Sequence, residues 1–317
     1  MTLLEKLETV LIILAMALGL ILGQVDFIGQ WSGHLISPLL VAMLFGLFLK
    51  TPLKEIWKCF KNLKFALTSL GINFIWVPVL GYFLGELFLS SSPDLKIGFL
   101  MLLVTPCTDW YLIFTAMAKG NVTLSTSLLP MNLILQILLL PVYLLIFVGL
   151  SSQTRIGTLL ASVFWILILP MGTSLLAKRF LKENNLFRLG LEKIFADNVF
   201  KLLWLAILFM FASEASQLWA NLTQFKALFT PVILFFLINF FVGRLAAYWA
   251  KFSREDAVSL TMTTLARNSP VALALAVVAF PHQPLIALAL VIGPLIEIPV
   301  LALIAKILLF WGRDKRS

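Results

Sequence analysis

The chain has 317 residues, of which 61% are hydrophobic and only 12% charged, and its mean hydropathy is +1.02. A soluble domain carries about 25% charged residues, so this composition excludes a soluble globular protein and predicts an all-α integral membrane protein. The net charge of +9 does not point to nucleic acid, because the cations lie in short segments between apolar runs, the pattern of membrane topology rather than of a basic groove.

In chain order, apolar runs predict ten transmembrane helices, near 9–23, 34–49, 65–90, 97–118, 122–150, 157–177, 198–214, 227–250, 257–280 and 285–310. Each is roughly long enough for a hydrocarbon core of about 30 Å. The first run, with Lys6 before it, has the outline of a signal peptide, but the many later spans favour a retained helix. Lysine and arginine fix the orientation. One side takes Lys6, then Lys50, Lys54, Lys58, Lys61 and Lys64 after span 2, then Lys178, Arg179, Lys182, Arg188 and Lys193 after span 6. It also takes Lys251 and Arg254 after span 8, and Arg313, Lys315 and Arg316 in the tail. The other side has Lys96, Arg155 and Lys226. Both termini are therefore expected in the cytoplasm, with the protein in the plasma (inner) membrane. Residues 50–64 read as an amphipathic segment lying on the lipid surface.

Five spans per half make residues 1–150 and 151–317 candidates for two inverted repeats within a single transporter domain, since an odd number of crossings turns the second copy over. Ile72-Asn73-Phe74 in span 3 recurs as Ile238-Asn239-Phe240 in span 8. Span 4 is interrupted at TPCTDW, residues 105–110, and span 9 at LARNSP, residues 265–270. Each interruption is followed by an apolar half-helix, a polar turn and a long span containing Pro-Val, at Pro141-Val142 and Pro299-Val300.

Proline removes a backbone donor, and loosened backbone at membrane depth persists only where protein or a water-filled cavity satisfies it. Asp109, Arg267 and Glu297 would together cost about 8–10 kcal/mol facing lipid, at about 2.5–3.5 kcal/mol each. They are expected to face one another or a cavity near the midplane, where half-helix ends offer N–H groups and carbonyls to a polar solute. Asp109 and Arg267 either pair to pin two helices or flank a transport site, and the two are compatible. Cys107, Thr108, Asp109, Asn132, Arg267, Asn268 and Ser269 are the candidate solute ligands. Glu297, in a helix loosened by Pro294 and Pro299, and Asp109 are the candidate proton carriers. Glu297 has a second reading, as acceptor for a freed backbone N–H. Asn73, Asn132 and Asn239 suit helix–helix hydrogen bonds or the lining of a pathway. Cys107 is either a small buried hydrophobe or a thiol ligand for a soft solute. Cys59 sits in the basic segment KEIWKCFKNLK, too far from Cys107 in the expected topology for a disulfide. His34 and His282 fall near span ends without ligand partners, so no metal and no cofactor is expected. HExxH, GxSxG and paired catalytic aspartates are absent from the sequence, which argues against an intramembrane enzyme.

The stretch PCTDWYLIFTAMAKGN, then Asn132 and Gln136, then GPLIEIPVLAL at residues 293–303, resembles the bile acid:sodium symporter superfamily, and most of all its arsenical-resistance arsenite permeases. That resemblance implies a ten-helix fold with core and panel domains, broken helices 4 and 9 crossing in the core, and alternating access around them. It assigns Cys107 to arsenite and Glu297 to the family's span 10 acid. The sodium-coupled branch carries a Ser-Asn pair where Tyr111 and Leu112 stand, and Glu and Gln where Thr263 and Arg267 stand, so sodium sites look dismantled. The arsenite permeases carry a Glu where Pro270 stands. The reading that follows is a proton-coupled antiporter expelling arsenite. The alternative is a carrier of a small organic anion, held through its carboxylate or sulfonate by Arg267.

Overall fold

The computed structural model describes residues 3–50, 60–108, 110–148, 164–181, 186–213, 215 and 222–311. Lys54, Lys58, Cys59, Asp109, Arg155, Lys182 and the tail from Arg313 lie outside them. The described chain is helical, and its one β feature is an isolated bridge between Pro106 and Arg267.

The helices in chain order are α1 (Leu3–Leu22) and α2 (Asp26–Lys50), then α3 (Leu63–Leu89), with a π-helical turn at Ile72–Trp76. Next come α4 (Pro93–Leu103), α5 (Trp110–Met117) and α6 (Val122–Tyr143), the last running into a π turn at Leu144–Val148. A π turn at Phe164–Ile168 leads into α7 (Leu169–Phe180), and α8 (Leu186–Leu191) continues through a π turn at Glu192–Ala196. The chain ends with α9 (Val199–Ser213), α10 (Leu222–Trp249), α11 (Arg254–Leu265), α12 (Ser269–Ala279) and α13 (Pro284–Phe310).

Among the described residues five helices are long and apolar enough to cross a membrane: Phe27–Lys50, Leu63–Leu89, Val122–Phe147, Lys226–Trp249 and Pro284–Phe310. A sixth candidate is the pair Leu186–Ala196 and Val199–Ser213, bent by 42°. Bulky apolar side chains such as Ile75, Phe83, Leu87, Leu138, Phe241 and Leu303 stand exposed along these helices, as lipid-facing residues do. The protein is a multi-pass integral membrane protein.

Two expectations from the sequence change here. Span 2 was set at 34–49, but its helix begins at Asp26, because Ser32 returns its hydroxyl to the Ile28 carbonyl at 2.6 Å and so stays inside the helix. His34, expected near a span end, therefore lies within α2, exposed beside Trp31. Residues 186–196, expected as a basic loop, are helical: Arg188 pairs with Glu192 one turn on at 2.9 Å, leaving the apolar positions of LFRLGLEKIF free to continue the helix.

The chain divides into two compact units that each draw on several segments. One comprises Met1–Thr51, Leu150–Phe225 and Pro270–Val291. In it α9 packs on α1 and α2. Gly19 on α1 and Gly23 just past its end, spaced four apart, face the backbone of Leu208 and Ala212 so closely that a Cβ at either would overlap it, the small-residue contact by which membrane helices approach. The other unit comprises Pro52–Gly149, Lys226–Ser269 and Ile292–Ser317. It holds α3, α4, α5, α6, α10, α11 and the C-terminal part of α13, and it contains the candidate site. Within it, the π turn of α3 turns Asn73 fully inward, and the Tyr143 hydroxyl donates to the Phe74 carbonyl at 2.6 Å.

Candidate functional site

Helix α4 stops at Leu103 and α5 starts at Trp110, while α11 stops at Leu265 and the next helix starts at Ser269. At 1.5 Å per residue, α4 and α5 are roughly 16 Å and 12 Å long, so each reaches about halfway across a bilayer core. The two interruptions meet. Cys107 donates its N–H to the Ala266 carbonyl at 2.9 Å, and Asn268 donates its own to the Thr105 carbonyl at 2.6 Å. Two short extended segments thus run antiparallel between four helix ends. The side chains continue the pairing, with Asn268 Nδ2 3.2 Å from Thr108 Oγ1.

A helix C-terminus leaves its last four carbonyls without intrahelical donors, and in lipid each must be satisfied by protein. At α11 all four are. Thr263 O accepts from Asn73 Nδ2, Thr264 O from Asn239 Nδ2 and Arg267, Leu265 O from Arg267 Nε, and Ala266 O from Cys107. At α4, Met101 O and Leu102 O accept from the Thr105 hydroxyl, and Leu103 O accepts from Arg267 NH1 at 2.7 Å. One guanidinium therefore caps both interrupted helices. Arg267 is 2% exposed, its NH2 also donates to Asn73 Oδ1 at 2.9 Å, and its plane lies 5.3 Å from the Phe235 ring centre. Four of its five N–H donors are used by the protein.

Glu297 reaches the same point from α13. Its Oε1 accepts the Arg267 backbone N–H at 2.8 Å, the freed-amide bond that was one of its two readings. The approach is close: a Cβ on Gly293 would lie 2.8 Å from both methyls of Leu102 at the end of α4, so a larger residue there would force that side chain to shift. The two Ile-Asn-Phe copies behave alike, each sending its asparagine to a C-terminal carbonyl of α11.

Cys107 is 1% exposed, and Thr108, Asn268 and Ser269 are also buried here. Asp109 lies outside the described residues. Asn132 stands apart: its Oδ1 and Nδ2 are fully buried on α6 without a hydrogen-bond partner among the described residues, and so are both amide atoms of Gln136. The Ser269 and Thr263 hydroxyls are likewise unpartnered. Buried polar atoms of this kind are rare and call for a ligand or bound water. Gln136 was not among the candidate ligands, though its spacing of four from Asn132 in an apolar helix puts both amides on one face. Tyr111, at the position of the sodium branch's serine, is fully buried and donates its hydroxyl to the Ser125 carbonyl at 2.7 Å.

Comparison with known proteins identifies the family. The family model described as the Sodium Bile acid symporter family matches residues 37–221, more than half of the chain. The chain belongs to the sodium bile acid symporter family. Similar relatives of the family include the arsenical-resistance protein Acr3 of Corynebacterium glutamicum, 26% identical with 98% of this chain and 90% of the relative covered. The arsenical-resistance protein Acr3 of Alkaliphilus metalliredigens is 22% identical, with 96% and 91% covered. The uncharacterized protein YbaS of Bacillus subtilis is 24% identical, with 71% and 75% covered. Family membership makes this chain a membrane transporter.

Proposed function

We propose that this transporter expels arsenite in exchange for protons, through ten spans arranged as two inverted five-helix repeats with both termini in the cytoplasm. The observation that carries the reading is Cys107, a buried thiol whose backbone is fixed at the crossing of two interrupted helices. The Acr3 proteins that align along nearly the whole chain support the same substrate. The interleaving of segments from both halves of the sequence in each compact unit supports the repeat.

Arsenite near neutrality is a small neutral trihydroxide of a thiophilic element. Sulfur of Cys107 forms one As–S bond while one As–O bond breaks, and the thiol proton leaves with the hydroxide as water. Addition of water reverses the step, and a single sulfur allows release. Thr108, Asp109, Asn132, Asn268 and Ser269 supply hydrogen bonds to the remaining hydroxyls, with Gln136 beside Asn132. Arg267 positions the crossing and leaves at most one N–H for solute. That count weakens the organic-anion alternative, which needs a guanidinium fork open to a carboxylate.

Glu297 couples the proton. Its carboxylate accepts the Arg267 N–H and neutralises the nearby guanidinium, and a proton on it weakens both interactions. Proton arrival therefore loosens the joint between α13 and the crossing, and Asp109 is the second proton carrier. Two features support protons over sodium: Tyr111 fills the space at Ser125, and Arg267 already supplies a cation to carbonyls that would otherwise face an ion.

The test is growth of an arsenite-sensitive host lacking its own exporters, carrying the protein or its Cys107→Ser form at equal membrane levels. The intact protein is expected to confer resistance and the serine form to lose it. Resistance that survives the substitution rules out the thiol step. Resistance from neither form moves the assignment to an organic anion.

A further inference from the structure

A second pocket lies within the same unit, away from the crossing. It encloses about 510 Å³ between the C-terminal end of α10, the start of α11 and the C-terminal end of α13. Arg244, Arg254, Tyr248, Phe252, Leu308 and Trp311 line it. That volume falls within the range of about 300–1,000 Å³ typical of small-molecule sites.

Its chemistry is cationic. Arg244 and Arg254 are both half-buried and line the same pocket. Among the described residues no carboxylate forms an ion pair with either. Arg254 donates to the Leu308 carbonyl at 3.1 Å, which fixes it against α13. Two acids stand in the first turn of α11 outside the pocket lining: Glu255 is exposed, and Asp256 Oδ1 accepts from Asn121 Nδ2 at 2.9 Å. Lys64 adds a third cation, its Nζ 5.7 Å over the Phe252 ring. Two half-buried guanidiniums lining one pocket, with no acid paired to either among the described residues, favour an anion from outside.

The walls are hydrogen-bonded and lie at the ends of long apolar helices. Helix α10 ends in a left-handed residue, Lys251 at φ 51°, with Lys251 N–H to Tyr248 O at 3.0 Å and Phe252 N–H to Ala247 O at 3.1 Å. This paired bond set pins Phe252 over the pocket. Tyr248, Trp249 and Trp311 are all exposed at the same helix ends, as aromatic side chains are at the headgroup layer.

We propose that this pocket binds a net-anionic phosphate group, the one a phosphatidylglycerol-type headgroup or a soluble phosphate presents, with Arg244 and Arg254 as its ligands. Guanidiniums match phosphate oxygens in paired hydrogen bonds, and the aromatic rim favours the glycerol and acyl portion of a lipid. The site is independent of the solute at the crossing, so its test does not depend on transport of arsenite.

The delipidated full-length protein in a zwitterionic detergent is melted with phosphatidylglycerol, with phosphatidylcholine, or with inorganic phosphate against chloride at equal ionic strength. Retention of each lipid is followed in parallel by native mass spectrometry. Phosphatidylglycerol is expected to raise the melting temperature and stay bound, and Arg244→Ala is expected to lose most of both effects. Arg244→Lys should retain more of them than Arg244→Ala. Among the described residues Arg244 donates no hydrogen bond whose loss would strand a neighbour, whereas Arg254→Ala, which also frees the Leu308 carbonyl, serves as the second variant. A shift from the lipid alone assigns the headgroup as the source, and a shift reproduced by inorganic phosphate assigns a soluble one. Equal shifts with both lipids and no response to phosphate, or shifts unchanged in both arginine variants, overturn the proposal.

Discussion

Arg267 and Asn132 are both buried and polar, yet the structure treats them oppositely. Arg267 gives hydrogen bonds to three main-chain carbonyls and to Asn73, so removing it strands acceptors at two helix ends and leaves Glu297 without its cation. Breaking such a buried charged group typically costs about 3–5 kcal/mol. Arg267→Met is therefore expected to lower the melting temperature of the purified protein sharply, and Arg267→Lys to fall between, since it keeps charge but not the fork. Asn132 has no hydrogen-bond partner to strand among the described residues. Asn132→Leu should leave stability unchanged or slightly raised while cutting arsenite transport at least about tenfold, the scale of one hydrogen bond to a bound solute, about 1.4 kcal/mol. A melting temperature that falls as far in Asn132→Leu as in Arg267→Met would make that amide structural.

At the scale of elements, the joint between α4 and α13 depends on a missing side chain. A Cβ on Gly293 would press on both methyls of Leu102. Gly293→Ala should cost about 1–3 kcal/mol from overpacking, read as a lower melting temperature, and adding Leu102→Ala should recover part of it. A double mutant no better than the single one would show that the strain lies elsewhere. The helix breaks themselves were legible in TPCTDW and LARNSP, because proline and clustered polar residues act locally on the backbone. What those breaks bind to was not legible. Arg267 meets Asn73, 194 positions away, and the capping of α4 by a residue from α11's exit is a product of tertiary approach. The helical stretch 186–196 was missed because its cations were weighed as loop markers, although the Arg188–Glu192 spacing of four was there to be read. The amides of Asn132 and Gln136 shared a face by spacing, but only packing shows that no described residue bonds them.

Across the whole molecule, the interrupted helices, the thiol and the carboxylate converge in one unit, and the proposed function places the solute there. The proposed cycle links Cys107 to solute and Glu297 to the proton, with Arg267 standing where a coupling cation would sit. Glu297→Gln should therefore retain arsenite binding but lose its response to a pH gradient, measured as solute movement with and without the gradient. Response to the gradient undiminished in Glu297→Gln would move proton coupling to another group such as Asp109. The most direct test is arsenite uptake into inside-out vesicles containing the purified protein, with a pH gradient imposed in sodium-free medium. Uptake driven by the gradient, abolished by Cys107→Ser and unaffected by added sodium, is the predicted result. Uptake that requires sodium, ignores the pH gradient, or proceeds undiminished in Cys107→Ser would contradict it.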